Sequence, residues 1–121
     1  LPPMPTPRFS AGVALARDKI YAVGGIDGTE STIGTVDIFD LVACRWETNA
    51  PSMPTPRVGL ALAEVGGKIY ALGGSNEKAE PFFTVEVFDP STCIWTPGPS
   101  LPHACFGLGA AAPDFRSPGQ R

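Results

Sequence analysis

Arg8 and Arg57 each close the same phrase, Met4-Pro5-Thr6-Pro7-Arg8 and Met53-Pro54-Thr55-Pro56-Arg57. A guanidinium fork at that place suits bidentate recognition of a carboxylate, or else hydrogen bonds to backbone carbonyls that tie down the Pro-rich segment. His103 is the only histidine. No nucleophile and carboxylate are arranged around it, so it reads as a surface loop residue. Cys44, Cys93 and Cys105 are an odd set without C-x-x-C spacing, which argues against a closed zinc site and against a disulfide scaffold. Gly24-Gly25-Ile26-Asp27-Gly28 has neither the lysine nor the helix start of a phosphate loop. The expectation is a non-enzyme with no cofactor and no metal.

What must position these residues follows from composition and repetition. Of 121 residues 43% are hydrophobic and 17% charged, the profile of a chain that buries a core. Its 14 glycines and 14 prolines, with no collagen-like period, point to many turns between short strands. A net charge of −3 and a pI near 5.0 offer no field for nucleic acid or anionic lipid, so neither is an expected partner. No apolar run approaches the roughly 18 residues of a membrane span, and no signal-peptide pattern opens the chain. A cytoplasmic setting is the expectation. The first residues fall in mid-phrase, which reads as a piece of something longer.

The phrase ending in Arg8 returns about 49 residues on, and the register then holds without a gap. Lys19-Ile20-Tyr21-Ala22-Val23-Gly24-Gly25 falls on Lys68-Ile69-Tyr70-Ala71-Leu72-Gly73-Gly74, Thr35-Val36-Asp37-Ile38-Phe39-Asp40 on Thr84-Val85-Glu86-Val87-Phe88-Asp89, and Cys44-x-Trp46 on Cys93-x-Trp95. A third copy begins at Pro99-Ser100-Leu101-Pro102 and stops after Ala112. Each copy reads as four short strands. Gly12 to Ala16 and Lys19 to Val23 form a tight hairpin about Arg17-Asp18, with Gly66-Gly67 doing the same in the second copy. Val36 to Phe39 and Arg45 to Thr48 follow, joined by Asp40-Leu41-Val42-Ala43, whose counterpart Asp89-Pro90-Ser91-Thr92 suits a type I turn. No stretch keeps a helical period, so the fold class is all-β.

Taken together in this order, Arg8 and Arg57, Tyr21 and Tyr70, Gly24-Gly25 and Gly73-Gly74, and Trp46 and Trp95 resemble the kelch repeat. The resemblance implies a partial β-propeller of four-stranded antiparallel blades of about 49 residues. On that basis residues 1–8 enter the first blade, 9–57 form blade one, 58–105 blade two, 106–112 the opening strand of a third, and 113–121 a disordered tail. The glycine pairs would end the second strand where no side chain fits or φ is positive. The tryptophans would bury about 200 Å² each between blades. Cys44 and Cys93 would lie about 10 Å apart, beyond disulfide reach, as free buried thiols.

By the same resemblance Arg8 and Arg57 would line a pocket for acidic peptides, although Cys105 takes that place in the third copy. The loops after the glycine pairs, carrying Asp27, Thr29, Glu30, Asn76, Glu77 and Lys78, would face a protein partner. Phe82-Phe83 is expected as blade packing. The implied role is a protein-interaction module, foremost a substrate-recognition part of a cullin-based ubiquitin ligase, alternatively an actin or cytoskeletal scaffold. A copper oxidase or sugar epimerase of the same architecture is the enzymatic alternative. Two blades leave apolar faces open, so self-assembly that completes a ring is a further expectation, three copies giving six blades.

Overall fold

A computed structural model describes residues 3–101, and every regular element among them is a β-strand. In chain order these are β1 (Arg8–Phe9), β2 (Gly12–Ala16), β3 (Lys19–Val23), β4 (Ile26–Asp27), β5 (Val36–Asp40), β6 (Arg45–Glu47), β7 (Ala61–Val65), β8 (Lys68–Leu72), β9 (Val85–Asp89) and β10 (Ile94–Pro97). They build two four-stranded antiparallel sheets, ordered β2-β3-β5-β6 and β7-β8-β9-β10. The expected third-copy strand at 106–112, the tail at 113–121, His103 and Cys105 lie outside the described residues. Among the described residues no helix is long and apolar enough to cross a membrane.

A short pair was not foreseen. β1 and β4 pair as Arg8↔Asp27 and Phe9↔Ile26, tying the entry segment to the loop that follows the first glycine pair. The second copy repeats this as an isolated bridge, Val58↔Ser75.

Both hairpin turns of the first type are made of left-handed residues. Arg17 and Asp18 sit at φ 49° and 63°, and Gly66 and Gly67 at 60° and 82°. That double positive φ is the turn whose twist matches a hairpin. The second turn is one residue longer than the sequence suggests. Asp40 pairs with Arg45, its carbonyl accepts the Cys44 N–H at 2.7 Å, and its carboxylate accepts the N–H groups of Val42 and Ala43 at 2.9 and 3.0 Å. Cys44 closes the turn at φ 57°, and Cys93 does so identically after Asp89. This overturns the expectation of buried thiols: both cysteines are free but exposed, because the left-handed end of a turn lies at the rim and away from both sheets.

The core is the space between the sheets. Cross-strand register puts Ala14, Tyr21 and Ile38 on one face of the first sheet, and with Ala16, Val23 and Val36 they pack on Leu60, Leu62, Ile69, Ala71 and Phe88 of the second. The small residues of β2 are small because the sheets approach closely there: a Cβ on Gly12 would stand 2.7 Å from Leu62 Cγ. The far face of the second sheet holds Ala61, Ala63, Leu72, Val85 and Val87, with Tyr70 and Leu101 packed against them.

The tryptophans are half-buried, not enclosed as expected, because each stands on an outer strand. Trp46 meets Phe39 edge-on at 5.1 Å and Trp95 meets Phe88 at 5.2 Å. Trp95 also reaches the connection between the sheets, donating its indole N–H to Pro51 O at 3.0 Å. The other face of the first sheet is open along β2. Val13 and Leu15, opposite Ala22 and Ile20, are each 62% exposed. Forty-nine residues on, Val13, Ile20, Phe39 and Trp46 correspond to Leu62, Ile69, Phe88 and Trp95, the residues that pack on the first sheet.

Candidate functional site

β3 is followed by Gly24-Gly25 and β8 by Gly73-Gly74, all four at positive φ. The first pair also leaves no room for a side chain: a Cβ on Gly24 would be 2.7 Å from Arg57 O and one on Gly25 2.7 Å from Phe9 O. Positive φ and close backbone approach both demand glycine there. The chain turns sharply off the sheet at these points, and each loop rim begins where the arginine before the innermost strand comes alongside.

The arginines point inward. The Arg8 side chain is 1% exposed and that of Arg57 0%. Arg8 Nη1 donates to the carbonyls of Ala22, Gly24 and Thr35 at 3.3, 3.0 and 2.9 Å, and Nη2 to Thr35 Oγ1 at 3.1 Å and Asp37 Oδ2 at 2.9 Å. Arg57 repeats the pattern one copy later. Its Nη1 donates to Gly73 O and Thr84 O at 2.9 and 2.8 Å, its Nη2 to Thr84 Oγ1 at 2.9 Å, and Nη2 pairs with Glu86 Oε1 at 3.3 Å. Phe82 lies 5.0 Å from the Arg57 guanidinium, which explains one of the two phenylalanines, whereas Phe83 is 49% exposed.

The carboxylate each arginine grips is therefore the chain's own. This corrects the expectation that Arg8 and Arg57 hold an acidic peptide: both forks are spent on internal acceptors and shielded from solvent. Burial pushes the Arg57 guanidinium below its usual pKa while Glu86 works against that shift. Only the Nε atoms of both arginines lack an acceptor. Arg57 also joins the sheets, since its carbonyl accepts Gly25 N–H at 2.7 Å from the first copy while its side chain serves the second. Glu86 adds the linker, accepting from Thr55 N and Oγ1 at 3.3 and 3.1 Å.

Asp37, Glu86, Thr35 and Thr84 are residues that the sequence reading treated only as matching positions of the repeat. The signal was present: Thr and an acidic residue recur at the same distance after each arginine.

The two loops differ in sequence and agree in build. Asp27 Oδ1 accepts from Thr29 N, Thr29 Oγ1 and Ser31 N at 2.9, 2.7 and 3.1 Å. Asn76 Oδ1 accepts from Lys78 N and Glu80 N at 2.9 and 3.0 Å, and its Nδ2 donates to Glu80 Oε1 at 2.7 Å. Each is the start of an Asx turn that hydrogen-bonds its own backbone a few residues on. These bonds hold the Asp27 carboxyl below its usual range, with the Thr29 hydroxyl the largest cause. Thr29, Glu30, Glu77 and Lys78 are exposed at the tips, while Asp27 and Asn76 are half-buried anchors. Among the described residues no three His, Cys, Asp or Glu side chains come together to hold a metal ion.

A family model described as Kelch motif matches residues 7–54 and again residues 56–102. No curated protein matches the chain.

Proposed function

The chain belongs to the kelch family, and from that premise we propose that it is a non-enzymatic protein-binding module whose contact surface is the rim formed by loops 26–33 and 75–82. The observation that carries this reading is the contrast between the loops' shared frame and their divergent tips. Asp27 and Asn76 anchor equivalent turns, yet Thr29-Glu30 and Glu77-Lys78 present different chemistry to solvent. Recognition tends to reside in variable loops held by a rigid scaffold. The arginines belong to that scaffold.

Within this reading the charges exposed at the tips, Glu30, Glu77, Glu80 and Lys78, favour a partner surface that is basic on balance. The family role tested first is substrate recognition for a cullin-based ubiquitin ligase in the cytoplasm, with cytoskeletal scaffolding second. Affinity capture with the whole chain and with Glu30→Ala/Glu77→Ala/Lys78→Ala tests it. Proteins bound by the first and lost from the second, with the melting temperature unchanged, are the expected result; identical sets refute the loop assignment.

The open face of the first sheet supports an assembly partner too. Its counterpart on the second sheet is covered by a sheet, so another sheet of the same pattern belongs over Val13 and Leu15, from a second copy or from elsewhere in a longer chain. Light scattering of the wild type and of Val13→Glu/Leu15→Glu checks whether copies supply it: a mass above the monomer that falls in the variant is expected if they do.

A further inference from the structure

The rim opposite the loops holds a different feature. β3 runs from Lys19 at the hairpin turn to Val23 at the glycine pair, so its first residue lies at the turn rim. There a cleft of about 350 Å³ opens between the two sheets, and Arg17, Lys19, Tyr21, Gly67, Lys68 and Asp89 help to line it.

Tyr21 is 4% exposed and its ring packs on Phe88 at 6.3 Å. The phenol end stands where the charges of Lys19, Glu47 and Arg17 act on it, and its hydroxyl has no hydrogen-bond partner among the described residues. Among the described residues the buried side-chain polar atoms without a partner are the Nε atoms of Arg8 and Arg57, so the Tyr21 hydroxyl reaches solvent at the cleft, where a ligand group can take the place of water. Arg17 is also unspent, with no ion pair or hydrogen bond among the described residues.

Its side chain crosses to the second sheet and lies over Gly67: a Cβ there would be 3.1 Å from Arg17 Nη2 and 3.6 Å from Cζ. Arg17 holds this place at φ 49°, a conformation costly to an L-residue, where the second copy uses Gly66. Of the other charges lining the cleft, Lys68 is exposed and without an ion pair among the described residues, while Lys19 and Asp89 are engaged. Lys19 pairs with Glu47 at 3.0 Å, and Asp89 accepts from Ser91 N and Oγ at 2.9 and 2.7 Å while standing within electrostatic reach of Lys68.

We propose that this cleft is a second recognition site, taking a carboxylate carried by a protein partner, with the Arg17 fork on its two oxygens and the Tyr21 hydroxyl as a further donor. A guanidinium matches a carboxylate edge to edge, and a phenol adds one O–H in a sheltered place. At about 30 Å³ per water, 350 Å³ holds roughly a dozen waters' volume, so the side chain bearing the carboxylate fits as well. The site is independent of the loop rim and stands or falls apart from it.

The test is an NMR titration of the whole chain with three short peptides: one with an internal Glu and an amidated end, the same with Gln, and the Gln peptide with a free end. The Glu peptide shifts the amides of Arg17, Tyr21 and Gly67, the amidated Gln peptide does not, and the free-ended peptide binds only if a chain terminus serves as the source. Arg17→Gly copies the turn residue of the second repeat and keeps the fold, yet weakens binding about tenfold, the worth of one charge-assisted contact. Tyr21→Phe weakens it less. No shift with either carboxylate peptide, equal shifts with the amidated Gln peptide, or full binding by Arg17→Gly overturns the proposal.

Discussion

Replacing Arg57 by methionine separates a scaffold role from a ligand-binding one. The guanidinium is 0% exposed, and its loss unpairs Gly73 O and Thr84 Oγ1, leaves Thr84 O with only the Gly73 N–H at 3.3 Å, and leaves Glu86 with Thr55 alone. Breaking a buried ion pair by removing one partner costs about 3–5 kcal/mol, because the remaining charge is stranded. Against a total stability of about 5–15 kcal/mol that is a large share. At about 4–8 °C per kcal/mol for a chain of this size, the melting temperature should drop by more than about 12 °C.

The assay is urea and thermal unfolding followed by tryptophan fluorescence and circular dichroism. A companion variant, Arg57→Met/Glu86→Met, removes both charges and should regain part of the loss, since nothing charged is left buried. If Arg57→Met melts within about 0.5 kcal/mol of the wild type, as an exposed ligand-gripping arginine would, the scaffold argument is wrong.

Trp95→Ala should cost about 3 kcal/mol and Trp46→Ala clearly less, because Trp95 packs against the inter-sheet core whereas Trp46 packs on Phe39 at the face turned away from it; equal unfolding midpoints would deny that difference. Gly25→Ala, with φ 95° and a Cβ 2.7 Å from Phe9 O, should destabilise by more than about 2 kcal/mol, whereas Gly28→Ala, with nothing within 4 Å of its Cβ, should be near neutral. Asp27, Asp40 and Asp89 are held below the usual 3.8 by local hydrogen bonds, so their contribution is present above that pH and lost as pH falls through their folded values. Urea midpoints between pH 6 and 2 should fall on the acid side, and Asp27→Asn, which copies Asn76, should lessen the slope. At the other end Tyr21 is raised above 10.0 chiefly by burial, so its share persists below that pH and is lost as pH climbs through the folded value, a loss that Tyr21→Phe removes.

Repetition made the strands legible because both copies vary their side chains while keeping the same alternation and turn residues. Lys19-Ile20-Tyr21-Ala22-Val23 and its partner were readable as inner strands since Gly-Gly fixes their ends, and both lie within a residue of expectation. The Arg8 clamp was only half legible. The sequence shows an arginine after a Pro-rich phrase, but whether its fork meets a ligand or the chain depends on Thr35 and Asp37, far along the chain and brought near by the β3–β5 register. The cysteines misled for a related reason. Type and spacing suggested burial, and the deciding fact, a left-handed turn ending at Cys44 and Cys93, arises from Asp40 and Asp89 bonding their own turns.

The loops were seen as variable but not as equivalently built, because Asp27 and Asn76 do the same work with different atoms.

The central claim, that partners meet the loop rim, is tested most directly by placing a photo-crosslinking residue at Glu30, at Lys78 or at Arg45 on the exposed edge strand β6 and irradiating the protein in cells. The account predicts the same protein adduct from Glu30 and Lys78 and none from Arg45; an adduct from Arg45 with neither loop position reacting would contradict it.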